Sequence, residues 1–162
     1  SEIETENFRI IEINNFFLNF KNSYLGNAKN INLKFILDKE SLEVLVNEDK
    51  FLQVILNLIN NSISVSENNS TILIKTLKLD INNIAIKLYD QGIGININDK
   101  EKIFKRFYTD RDKFRSEHSG LGLSISREIL RSFNGSIELI KSDNLEFGGA
   151  CFIIKLPLRM KK

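Results

Sequence analysis

Helical and strand-like hydrophobic periods alternate along this 162-residue chain. Their order predicts an α/β fold: a two-layer sandwich of a mixed β-sheet packed against about three helices. Three observations carry that prediction. Short apolar–polar alternations come in neighbouring pairs joined by turn residues. Longer stretches repeat their apolar residues at helical spacing. No internal repeat or low-complexity linker interrupts them, so residues 8–162 are expected to form one domain.

Phe8 and Ile10 alternate with polar neighbours and read as a short first strand. Ile13, Phe16, Phe17, Phe20 and Tyr24 follow at helical spacing. Asn32 to Leu37 and Glu43 to Val46 read as two strands, with turn residues from Asp38 to Ser41 connecting them. Glu48 and Asp49 open the next helix with the acidic residues its dipole favours. Ile72 to Leu79 and Ile84 to Tyr89 alternate again, joined as a hairpin by Asp80 to Asn83. Asn98 to Phe104 reads as a short helix. Tyr108 to Ser119, polar and without a period, reads as a loop. Gly120 to Phe133 restores a helical pattern. Ser136 to Ile140 and Cys151 to Leu156 are the last strands, separated by a link containing Gly148-Gly149 and closed by Pro157.

An apolar content of 42%, a charged content of 27% and a net charge of +2 describe an ordinary globular domain and argue for neither nucleic-acid nor membrane binding. No apolar run reaches the length of a membrane span. The single cysteine, Cys151, excludes an internal disulfide and a multi-cysteine zinc site. In its apolar run it reads as a buried small residue, which fits a cytosolic setting.

The helix containing Phe51 to Ser62 is the most informative segment. At about 100° per residue, Gln53, Asn57, Asn60, Asn61 and Ser64 share one stripe. Phe51, Leu52, Val54, Ile55, Leu56, Leu58, Ile59, Ile63 and Val65 fill the rest, so the helix should be largely buried. The stripe is either a solvated edge or a polar site. Asparagine is a mediocre helix former, and a water-facing stripe more often carries Glu and Lys. Neutral carbonyl oxygens at i and i+4, on Asn57 and Asn61, suit a hard cation such as Mg²⁺ whose shell is completed by phosphates and water.

Two glycine motifs follow. In Asp90-Gln91-Gly92-Ile93-Gly94, Asp90 continues the parity of Ile84, Ile86 and Leu88, which aims a carboxylate inward at a strand end. It is either a structural cap of a tight turn or an acceptor for a ligand donor such as adenine's exocyclic amine. Gly92 and Gly94 leave room for a flat ring. In Ser119-Gly120-Leu121-Gly122-Leu123, a helix start offers free N–H groups to a phosphate, or is a plain glycine-rich loop. Neither motif is a dinucleotide fingerprint, and no P-loop occurs. Between them, Ile103 to Tyr108 supplies aromatic anchors. Lys105, Arg106, Arg111, Lys113 and Arg115 outnumber the acids and suit either a phosphate-facing lid or a solvated loop.

The di-asparagine helix, D-x-G-x-G, the aromatic–basic segment and G-L-G-L, in that order, resemble the N, G1, F and G2 boxes of the histidine-kinase catalytic domain. That domain belongs to the ATPase/kinase superfamily of type II topoisomerases, a heat-shock chaperone and the MutL proteins. The resemblance covers nearly the whole chain, including Phe147-Gly148-Gly149 and Leu156-Pro157-Leu158. It implies that Asn57 and Asn61 hold Mg²⁺ against the phosphates of ATP and that Asp90 accepts from adenine N6. It places Gly92 and Gly94 beside the base, and Ser119, Gly120, Leu121, Gly122 and Leu123 near the phosphates. Phe104 and Phe107 match the F-box aromatics, Arg106 a catalytic phosphate contact, and residues about 104–119 the ATP lid. The wording from Arg106 to Arg111 and from His118 to Arg127 resembles envelope-sensing kinases of alphaproteobacteria.

Three positions depart from the family. Ser64-Val65 replace a frequent Lys-Tyr, His118 stands near a usual glycine, and Ala150 replaces a Thr or Ser whose hydroxyl would support Asp90. His118, the only histidine, lacks the neighbours of a phosphoacceptor and reads as a lid residue. The resemblance therefore implies the catalytic part of a longer, membrane-bound sensor, with residues 1–7 as the connection to a separate dimerisation and acceptor domain. That domain would be its direct partner and a response regulator its indirect one, in the cytoplasm, with no nucleic acid. The fragment is expected to be a monomer, not membrane-embedded. The implied reaction is transfer of the γ-phosphate of Mg–ATP to a histidine. The alternatives are a serine kinase of the anti-sigma-factor type and a nucleotide-sensing module without transfer.

Overall fold

The computed structural model describes residues 7–106, 108 and 122–160. It contains β1 (Arg9–Glu12), α1 (Ile13–Ser23), β2 (Asn32–Ile36), β3 (Glu43–Val46), α2 (Glu48–Val65), β4 (Thr71–Lys78), β5 (Asn83–Tyr89), α3 (Gly122–Ser132), β6 (Ser136–Ile140) and β7 (Cys151–Pro157). Five strands form one sheet in the order β2-β4-β5-β7-β6. β2 runs parallel to β4, and every other neighbour is antiparallel. β1 and β3 make a separate antiparallel pair. The two-layer α/β sandwich with a mixed sheet is thus the observed architecture.

Side-chain parity decides where the core lies. Ile72, Ile74, Ile84, Ile86, Leu88, Ile137, Leu139, Phe152, Ile154 and Leu156 share the inner face. They join Phe16, Phe17 and Phe20 of α1, Phe51, Val54, Ile55, Leu58 and Ile59 of α2, and Ile129 and Leu130 of α3 in one cluster. All three helices therefore cover one face of the sheet. On the other face Leu73, Tyr89, Phe147 and Cys151 form a smaller cluster. Burial pushes the Cys151 thiol up to about 12, so it behaves as the inert small residue its sequence context suggested.

Caps set the helix starts. Glu12 accepts from the N–H groups of Asn14 and Asn15 at 3.1 and 2.9 Å and so begins α1. Asn47 accepts from Lys50 N at 3.1 Å and begins α2, with Glu48 and Asp49 in its first turn.

The structure refines the sequence reading in three places. β2 and β3 are neighbours in sequence but belong to different sheets. Asp38, placed in their connection, accepts from Glu40 N at 2.9 Å and Lys78 N at 2.8 Å, and its own N–H donates to Thr76 Oγ1 at 2.9 Å. These bonds tie the segment to β4, so β2 and β3 do not pair with each other. The α2 helix is not buried all round, because Leu52 and Leu56 are each 36% exposed. The stretch from Asn98 to Phe104 forms two short 3₁₀ turns, Ile97–Asp99 and Lys102–Phe104. It buries only Ile103 and Phe104, too little apolar surface to stabilise a longer helix.

Candidate functional site

The site grows from the second half of α2 and the strand end that follows β5. Asn57 is half-buried where α2 meets α3. Its Nδ2 donates to Gly122 O at 3.4 Å and to Ser126 Oγ at 3.3 Å. With the nitrogen turned to α3, the amide oxygen is left as the acceptor that a ligand can use. A methyl group at Gly122 would stand 3.9 Å from Asn57 Cγ, an ordinary contact that records how closely the start of α3 approaches. Asn61 lies one turn further along α2 and is also half-buried. Asn60, assigned to the same stripe, is exposed instead.

Asp90 follows β5 and is 1% exposed. Its Oδ1 accepts from Gly92 N and Ala150 N, both at 3.0 Å, and its N–H donates to Ala150 O at 3.1 Å. Burial raises its carboxyl above the usual carboxylate range. The N–H groups of Gly92 and Ala150 and the Ser62 hydroxyl pull it back in part. The second carboxylate oxygen accepts no hydrogen bond among the described residues.

The glycines have distinct reasons. A methyl at Gly92 would come within 2.7 Å of Val65 O, so the close approach here is to the end of α2. Gly94 adopts φ +79°, a left-handed conformation that favours glycine, and packs against Gly149. The Gln91 side chain pins the same turn, accepting from Thr71 N at 2.9 Å and donating to Glu146 O at 3.2 Å.

Phe104 is buried beneath the Arg127 guanidinium, which lies 3.9 Å from its ring centroid, and packs edge-on to Phe152 at 6.4 Å. It is an anchor for the segment that leads into the expected lid. Arg106 is exposed, and Leu123 is half-buried against the core. Phe107, Ser119, Gly120 and Leu121, with the rest of the lid from 109 onward, lie outside the described residues.

Three contributors escaped the sequence reading. Lys29 Nζ donates to the carbonyls of Ile63, Ser64 and Ser66 at 2.7, 3.2 and 2.9 Å, and so caps the end of α2 that faces Gly92. Nothing in its loop context signals this. Ser126 is buried and bonds Asn57. Ser62 is buried beside Asp90. For both serines the legible signal was a hydroxyl among the apolar positions of a helix.

The sequence profile of histidine kinase-, DNA gyrase B- and HSP90-like ATPases matches residues 46–160. The sensor protein ChvG of Rhizobium meliloti (strain 1021) is 36% identical over 142 residues, covering 82% of this chain and 24% of ChvG. The sensor protein kinase WalK of Staphylococcus aureus is 32% identical over 161 residues, covering 97% of this chain and 38% of WalK. The catalytic domain of the histidine kinase ThkA superposes with a TM-score of 0.73 at 27% identity, covering 93% of this chain and 97% of that one. This chain spans between 24% and 38% of the length of these two curated relatives.

Proposed function

Since this chain belongs to the family of histidine kinase-, DNA gyrase B- and HSP90-like ATPases, we propose that it binds Mg–ATP and passes the γ-phosphoryl group to a histidine on a separate dimerisation domain, as the catalytic part of a two-component sensor kinase. One observation carries this reading: a single helix, α2, builds both ends of the site. Asn57 meets the start of α3, while Val65 and Ser62, further along the same helix, lie against Gly92 and Asp90.

An ionised carboxylate only accepts hydrogen bonds, so Asp90 suits a base that presents an amino group, as adenine does. Asn57 and Asn61 offer neutral oxygens on successive turns. They fit a divalent cation shared with phosphates, because Mg²⁺ takes few protein oxygens and leaves the rest of its shell to phosphate and water. Mg²⁺ bound there would neutralise phosphate charge. The first N–H groups of α3, which begins at Gly122, are the donors proposed for the phosphates, since a helix start leaves its N–H groups free for an anion.

In the transfer, the lone pair of a neutral imidazole attacks the γ-phosphorus, and the bond to the β,γ-bridging oxygen breaks. ADP leaves with that electron pair, and the phosphorylated ring sheds its other proton to solvent. The amide of Asn57 cannot take a proton from water, so hydrolysis by the chain alone is expected to be slow. The lid cations, Arg106 among them, are proposed to neutralise the transferring group.

No described helix is long and apolar enough to cross a membrane. The proposed setting is the cytoplasmic side of a membrane sensor, where ATP is available. ThkA has been solved in complex with the response regulator TrrA, and a response regulator is the proposed final recipient here. The test adds γ-labelled ATP and Mg²⁺ to this chain with and without the dimerisation domain of its full-length protein. Acid-labile label on that domain is the expected result. Rapid ATP hydrolysis by the chain alone overturns the kinase assignment, and Mg²⁺-dependent binding without transfer selects the sensing module.

A further inference from the structure

Three serines crowd the end of α2, and two of them bond as helical serines ordinarily do, to carbonyls of the preceding turn. Ser66 donates to Ser62 O and Ser64 to Asn61 O, both at 2.6 Å. Ser62 does not. It is 1% exposed, and its hydroxyl is the only buried side-chain polar atom among the described residues without a hydrogen-bond partner. A buried hydroxyl is ordinarily paired, so an unpaired one calls for a reason.

The reason lies across the helix–sheet junction. The Ser62 hydroxyl lies near enough to the Asp90 carboxylate to favour its ionised form, without completing a hydrogen bond to it. Asp90 Oδ1 is already held by the N–H groups of Gly92 and Ala150. From the strand side position 150 presents only a methyl group, so among the described residues α2 alone brings a hydroxyl to this carboxylate.

We propose that Ser62 is a positioning residue for the nucleobase: its hydroxyl, carried on α2, donates to the Asp90 carboxylate and holds it in the orientation that accepts an adenine amino group. This rests on the role given to Asp90 above. With no competing partner, the hydroxyl is free to follow the carboxylate as a base settles against it.

The experiment compares the chain with its Ser62→Ala variant by titrating ATP and inosine triphosphate, which carries a 6-oxo group where adenine carries the amine. The unmodified chain is expected to prefer ATP. Ser62→Ala should lower ATP affinity about three- to tenfold, leave inosine triphosphate affinity unchanged, and leave the ligand-free melting temperature unchanged or higher, since an unpaired hydroxyl has gone. Unchanged ATP affinity, or an equal fall for both nucleotides, overturns the proposal and reduces Ser62 to packing. Equal affinity of the unmodified chain for the two nucleotides removes Asp90 from base recognition and takes Ser62 with it. An Asp90→Asn variant that loses the ATP preference while Ser62→Ala keeps it removes Ser62 alone.

Discussion

Gly149 lies directly against Asp90: its N–H donates to the Asp90 carbonyl at 3.1 Å, and a methyl group on its Cα would overlap the carboxylate Oδ1 and stand 2.8 Å from both the Asp90 carbonyl oxygen and Gly92 N. The carboxylate sits where it does because position 149 has no side chain. Gly149→Ala must therefore push the carboxylate or the 148–150 link away. We expect a stability loss of about 1–3 kcal/mol, the usual cost of overpacking, and at least a tenfold loss of ATP affinity. Thermal denaturation and nucleotide titration check the two parts. Normal ATP binding in Gly149→Ala would contradict the proposed role of Asp90.

Asp90 makes stability and binding respond to acid with opposite signs. Its folded carboxyl lies above the ordinary value of 3.8, chiefly because it is buried. The stabilisation linked to its protonation is present below that ordinary value and is lost as pH rises through the raised one. ATP binding needs the ionised acceptor, so it should weaken as pH falls through the same window. Asp38, lowered by the N–H groups of Glu40 and Lys78, and Asp143, lowered by the Tyr89 hydroxyl and Lys87, act oppositely. Their stabilisation is present above the ordinary value and is lost as pH falls. The Asp90 component is isolated by comparing the chain with Asp90→Asn in urea between about pH 7 and 4. The chain should gain stability relative to the variant on acidification.

Lys29 holds the end of α2 through three carbonyls. Lys29→Met keeps the stem and removes the charge-assisted bonds. The expected loss is about 1–3 kcal/mol, accompanied by weaker ATP binding because Val65 O is no longer fixed against Gly92. Hydrogen exchange at the α2 terminus should rise before exchange at its start. Equal exchange in both proteins would show that the cap does not hold this turn.

Asn57 bonds α3 through long contacts of 3.3 and 3.4 Å from a half-buried amide. Asn57→Ala should therefore cost little stability, about 1 kcal/mol or less, while abolishing phosphoryl transfer. Titrating Mg²⁺ at fixed ATP checks the cause: the variant should lose the metal-dependent part of nucleotide affinity. Retained Mg²⁺ dependence would assign the metal to other groups.

Much of the element order was legible because it depends on local spacing. The recurrence of Phe16, Phe17 and Phe20, the alternation through Ile84, Ile86 and Leu88, and the acidic opening at Glu48 and Asp49 each state their conformation within a few residues. The same parity put Asp90 inside the sheet's end before any packing was known. Strand partnership is a different kind of fact. Asp38 to Ser41 has turn chemistry, yet its hydrogen bonds go to Thr76 and Lys78 of β4, which lie far along the chain and leave no mark in the local pattern.

What this sequence determines alone is the longer helices and the strands, the inward parity of Asp90 and the paired amides on α2, since all follow from periods of 3.6 and 2 residues. Only the tertiary structure decides that β2 joins β4 in parallel, that Lys29 closes α2, and that the Ser62 hydroxyl stands unpaired beside a buried carboxylate. Those relations arise when distant segments exclude water from one another. Their energies depend on which polar groups end up facing each other, and that is not encoded in the spacing of any one segment.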